Sequence, residues 1–173
     1  MEKLIVLSDL WGVKNSSWIE SYTTILKGYF EVKFYDCCKL GELDITDYSE
    51  ENIHQQFING GIDKAVENLI KKEKETISVL GFSIGGSIAW KAACQGLKVI
   101  NLTAVSSTRL RNESIEPNCS IKLFYGDKDP FKTQKDWFDH FELNPKIYNH
   151  ESHDFYMKQE IAIEICNQII KNN

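Results

Sequence analysis

A serine hydroxyl becomes a nucleophile at neutral pH only when a base takes its proton and a third group holds that base in the right tautomer. Three short segments of this chain carry the required side chains: Gly81-Phe82-Ser83-Ile84-Gly85-Gly86, Gly126-Asp127-Lys128-Asp129-Pro130-Phe131 and His150-Glu151-Ser152-His153-Asp154-Phe155. The first is a G-x-S-x-G pattern, in which the serine sits on a sharp strand-to-helix turn and small neighbours let strand and helix nearly touch. Gly81, Gly85, Gly86 and Ser87 supply the small residues, and Ser83 is the expected nucleophile.

His153 is the expected base, because it falls after the last strand-like run and before the last helix-like one, where a loop can lean back over the turn. His150 is the alternative in the same loop, while His140 and His54 read as surface histidines. For the acid, Asp127 and Asp129 share one turn, and both residue types are also ordinary turn formers. Asp129, between Gly126 and Pro130, reaches further past the strand end, whereas Asp127 is placed to bond backbone. Acyl transfer also needs donors for a tetrahedral oxyanion. The amide of Ile84 follows the nucleophile at a helix N-terminus, and a second amide is expected from Ser8-Asp9-Leu10-Trp11-Gly12, with Leu10 chosen over Trp11.

The elements that must hold these residues are legible from hydropathy. Leu4 to Leu7, Val32 to Tyr35, Ile77 to Gly81, Lys98 to Val105, Ile121 to Tyr125 and Lys146 to Tyr148 read as strands. Between them lie helical patterns: one from Trp18, capped by Ser16 or Ser17, one over about 52–74 with a kink or a later start expected at Gly60-Gly61, one after Ser83, one over about 132–142, and a closing helix from Gln159 to Ile170. Alternation of this kind predicts an α/β fold with a parallel sheet and helices on both faces. Ligands bind such sheets at the carboxyl ends of the strands. Ser8 to Gly12, Ser83, Asp129 and His153 would all lie along that edge. Residues 36–51 are polar and read as irregular, residues 106–119 are polar, and both segments are expected to shape the pocket.

Composition narrows the function classes. With 42% hydrophobic and 26% charged residues, residues 1–173 read as one domain with a full core. A net charge of -5 argues against nucleic acid, since phosphate neutralisation needs a basic face. The apolar run at the N-terminus is too short for a secretory signal or a membrane span, which predicts a cytoplasmic protein without membrane partners. The five cysteines, Cys37, Cys38, Cys94, Cys119 and Cys166, show no C-x-x-C spacing, so reduced thiols are expected and no metal site. A reactive thiol at Cys37 or Cys38 is set aside.

The segments G-F-S-I-G-G, G-D-K-D-P-F and H-E-S-H-D-F, in that order, resemble those of the α/β-hydrolase superfamily over nearly the whole length. The resemblance implies a three-layer α/β/α sandwich with a shortened sheet of about six strands in the order 2-1-3-4-5-6, without a lid. It also implies Asp129 as the acid and His153 as the base. The loop S-D-L-W-G-V is similar to that of the dienelactone-hydrolase branch, which implies the Leu10 amide as an oxyanion donor. Ser83 stands where that branch usually has cysteine, and the His-Gly pair of many esterases is missing from the loop. The implied activity is hydrolysis of a small-molecule carboxylic ester or thioester without a cofactor. The expected pocket is walled by Leu10, Trp11, Phe82, Ile84, Phe131 and Phe155, suited to small or medium acyl groups. Acyl transfer at the same site, or a catalytically silent fold that binds a partner, remain open at this point.

Overall fold

The computed structural model describes residues 1–171. Six strands form one sheet: β1 (Lys3–Leu7), β2 (Glu31–Tyr35), β3 (Ile77–Phe82), β4 (Val99–Val105), β5 (Ser120–Gly126) and β6 (Lys146–Tyr148). Their order is β2-β1-β3-β4-β5-β6 and every pairing is parallel. This is the order implied by the resemblance. The central position of β3 follows from its composition, because all six of its residues are buried, as a strand covered on both faces requires.

Side chains alternate across the strands and so build two cores. On one face Leu4, Val6, Leu80, Phe82, Val105 and Phe124 pack against α1 (Ile19–Leu26) and α7 (Gln159–Ile170). On the other, Ile5, Leu7, Ile77, Val79, Leu102 and Leu123 meet five helices. These are α2 (Cys37–Leu40), α3 (Glu50–Gln56), α4 (Ile62–Lys72), α5 (Ile84–Cys94) and α6 (Lys135–His140). The result is a three-layer α/β/α sandwich.

Two local expectations are corrected and a third is met. Neither Ser16 nor Ser17 caps α1: the cap position is Trp18, the Ser16 hydroxyl donates to the Val13 carbonyl, and the serine carbonyls accept the first amides. Trp18 is held there by its ring, which packs edge-on to Phe82 at 4.7 Å. Residues 36–51 are not wholly irregular, since Asp36 accepts from the Lys39 amide at 3.1 Å and caps the short α2. The helix expected over about 52–74 is two helices, α3 and α4, joined through a wider turn at Phe57–Gly61 where Asn59 and Gly60 leave helical geometry. The kink expected at the glycine pair is present, and it divides the segment in two.

Candidate active site

The sheet delivers four loops to one edge. Ser83 leaves the end of β3 at φ +48°, ψ -113°, a region that residues with a side chain rarely occupy. Its Oγ lies 3.0 Å from His153 Nε2. The His153 ring nitrogen Nδ1 is 2.6 Å from Asp129 Oδ2. Three residues from three loops, separated by 46 and 24 positions along the chain, thus form one connected line of polar atoms.

Each member is held by its neighbours. The Ser106 hydroxyl donates to the His153 carbonyl at 2.6 Å, which ties the histidine loop to the end of β4. Asp127 accepts from the Glu151 amide at 3.2 Å, so it bonds backbone as anticipated, but the backbone of the histidine loop. Asp129 is buried and accepts the Phe131 amide at 3.0 Å. Burial pushes its carboxyl up, yet the hydrogen bonds from His153 and Phe131, with the positive fields of His153 and Arg111, outweigh burial and leave it below the usual carboxylate value. A charged acceptor at Nδ1 favours the tautomer in which Nε2 faces Ser83 as a base.

The β1 loop folds around Asp9, a carboxylate that is 1% exposed. Its Oδ1 accepts the Trp11 amide at 3.0 Å and its Oδ2 accepts the Tyr156 hydroxyl at 3.1 Å. Burial is the main influence and raises the Asp9 carboxyl to about 6 despite those bonds. The Trp11 amide is spent on Asp9, while neither the Leu10 nor the Ile84 amide donates to any atom among the described residues. Gly12 completes the loop at φ +62°, where an added Cβ would stand 2.5 Å from an Asp36 carboxylate oxygen.

A cleft of about 720 Å3 opens over Ser83 and His153, within the range of ordinary small-molecule sites. Leu10, Trp11, Ile84 and Phe131 line it. Phe82 and Phe155 do not, which corrects the expected pocket. Phe82 is the last residue of β3, and strand alternation turns its ring to the opposite layer, between Trp18 and Tyr22. Phe155 is 1% exposed and stacks at 5.0 Å on Tyr148, also in that layer.

This fold is shared with solved structures. A hydrolase assigned to the alpha/beta superfamily from Xanthomonas campestris superposes with a TM-score of 0.71 over 100% of both chains, at 12% identity. The chain has the α/β-hydrolase fold. An alpha-beta serine hydrolase homologue from Coxiella burnetii matches 99% of this chain and 84% of its own at TM-score 0.67 and 17% identity. A dienelactone hydrolase-like promiscuous phosphotriesterase from metagenomic libraries matches 99% of this chain and 86% of its own at TM-score 0.56 and 12% identity. No protein-family model and no curated protein matches the chain by sequence.

On this α/β-hydrolase scaffold several cleft residues escaped the reading of the sequence. His54, expected at the surface, lines the cleft with Glu50 and Glu51 from the first turns of α3, because Trp11 packs against Tyr48 and the Tyr48 hydroxyl donates to the Trp11 carbonyl. Thr108, Arg109 and Arg111 line it from a single-turn helix after β4 (Thr108–Asn112). Glu50, Glu51 and the arginines come from the two polar segments whose course no periodicity could reveal, while His54 lies on the expected helix and reaches the cleft only through the packing of Tyr48 on Trp11. His150 and His140 are exposed. Cys37 and Cys38 are buried under the β1 loop, where their thiols donate to the Ser8 and Leu10 carbonyls, both at 3.1 Å. Burial pushes the Cys38 thiol up to about 12, away from reactivity. Among the described residues no three His, Cys, Asp or Glu side chains are grouped to hold a metal ion, and no helix is long and apolar enough to cross a membrane.

Proposed function

We propose that the protein is a serine hydrolase that cleaves small or medium carboxylic esters or thioesters through an acyl-enzyme on Ser83. The observation that carries this reading is the line Ser83 Oγ, His153 Nε2, His153 Nδ1, Asp129 Oδ2, with spacings of 3.0 Å and 2.6 Å. In the first step His153 Nε2 takes the Ser83 proton as Oγ attacks the carbonyl carbon, and the carbonyl oxygen becomes an oxyanion facing the Leu10 and Ile84 amides. The imidazolium, stabilised by Asp129, then gives its proton to the departing alkoxide or thiolate. Water repeats the sequence: it loses a proton to His153, attacks the acyl carbon, and releases the acid as Ser83 regains its hydrogen.

The scheme uses no cofactor. Strain at Ser83 favours it, since a backbone held at φ +48° costs about 1–3 kcal/mol and persists where function selects for it. The two amides without an internal partner supply the donors, each worth about 3 kcal/mol of barrier by the precedent of a subtilisin side-chain donor. The cleft is open and has Trp11 and Phe131 on its walls, Phe131 being 65% exposed. That shape suits short acyl chains. A p-nitrophenyl ester series from acetate to palmitate tests the assignment: kcat/KM should peak at or below about eight carbons, and a maximum at palmitate would refute the chain-length reading.

A further inference from the structure

The chain contains only two arginines among its 20 basic residues, Arg109 and Arg111, and both line the cleft above Ser83, where no lysine does. They flank Leu110, which is fully buried and pins their single-turn helix to the end of β4. Arg111 uses one donor on the Thr108 carbonyl, at 2.7 Å. Among the described residues neither guanidinium has a carboxylate within ion-pair distance. Each guanidinium offers five donors in a planar fork that matches the oxygens of a carboxylate or phosphate. Lysine, which serves every other basic position, presents only a point charge.

The cleft is also polarised. Sheet order puts β1 on one side of β3 and β4 on the other. Tyr48, just before α3, packs on Trp11 and so sets Glu50 and Glu51 on the side of the β1 loop, while the arginines follow β4; Ser83, at the end of β3, leaves the sheet between those two strands. The two glutamates disfavour an anion at the first wall, and the arginines favour one at the second, where the buried Asp129 carboxylate is already committed to His153 and the Phe131 amide. We infer that Arg109 and Arg111 form an anion subsite, which receives a carboxylate or phosphate carried on one arm of the substrate while the scissile carbonyl lies at Ser83. The substrate class is then an ester or thioester with one anionic arm, such as a half-ester of a short dicarboxylic acid. The link to an ester rests on the proposed function; the anion site itself does not.

Calorimetric titration of the intact protein reads the site without turnover. Glutarate and propyl phosphate are the anionic probes, glutaramide is the neutral one, and the proteins are wild type, Arg109→Gln/Arg111→Gln and Arg109→Lys/Arg111→Lys. At least one anion should bind tenfold or more tightly than glutaramide, the glutamine pair should lose that advantage, and the lysine pair should keep part of it. The tighter of the two anions identifies the carboxylate or the phosphate as the natural group. Equal binding of anions and glutaramide, or anion binding unchanged in the glutamine pair with its circular dichroism intact, would overturn the inference. A parallel assay compares p-nitrophenyl hemiglutarate with p-nitrophenyl butyrate, and wild type should favour the hemiglutarate by at least tenfold in kcat/KM. Arginine-dependent glutarate binding without turnover of any ester would keep the anion site and remove the hydrolase reading. Turnover of butyrate with no anion preference would do the reverse.

Discussion

Asp129 does two things at once: its Oδ2 faces His153 Nδ1 at 2.6 Å, and its Oδ1 accepts the Phe131 amide at 3.0 Å. Asparagine keeps the shape but can present an N–H to Nδ1, which favours the wrong imidazole tautomer. For Asp129→Asn the account predicts a fall in kcat of about 10⁴-fold, as in the trypsin precedent, with KM and thermal midpoint little changed. A loss below tenfold in steady-state assays would remove Asp129 from the line. Asp9 carries the opposite electrostatic signature. Its folded carboxyl is raised to about 6, so the folded state binds the extra proton and stability declines as pH rises from about 4 through 6. In Asp9→Asn, thermal midpoints measured across that window should lose this decline; an unchanged slope would mean that Asp9 is not its source.

The turn between β3 and α5 is the element on which the site depends, and packing dictates its composition. A Cβ on Gly85 would run into the Ser8 carbonyl oxygen, which is backbone and cannot swing away. Gly85→Ala should therefore cost about 1–3 kcal/mol in chemical denaturation, the usual cost of overpacking, and should disturb the adjoining β1 loop. A variant as stable as wild type would show that the contact relaxes freely. This turn was legible because the motif and its geometry occupy the same six residues. So were the turns carrying Asp129 and His153, each of which comes after a strand-like run. The pocket was less legible. Phe82 and Phe155 are neighbours of the motifs in sequence but face the α1 and α7 layer, whereas His54 and Arg109 reach the cleft only through tertiary packing. The arginines did carry a compositional signal, as the only two in the chain, on a segment that leaves the same sheet edge.

At the scale of the molecule, the parallel sheet followed from the alternation of elements and its strand order from the resemblance, but the tie across the far side of the sheet followed from neither. Glu73, buried between α4 and β3, accepts from Lys3 Nζ at 2.6 Å, Lys33 Nζ at 2.9 Å and the Tyr35 hydroxyl at 2.5 Å. One carboxylate thus joins the end of α4 to β1 and β2, at separations of 70, 40 and 38 residues that no local pattern exposes. Burial pushes its carboxyl up, but the three hydrogen bonds prevail and hold it down to about 2. A depressed carboxylate contributes stability that is complete above its unfolded value near 4.5 and is lost as pH falls toward about 2. Glu73→Gln should therefore melt below wild type at pH 7, with the two melting curves converging near pH 2. A gap of constant size would assign the loss to packing rather than charge.

The central claim is that Ser83 is an activated nucleophile, and intact mass after treatment with a fluorophosphonate tests it most directly. The account predicts one adduct on the folded wild type, none on Ser83→Ala, and a strongly slowed adduct on His153→Ala. Folded wild-type protein that forms no adduct, or an adduct that survives Ser83→Ala, would contradict it.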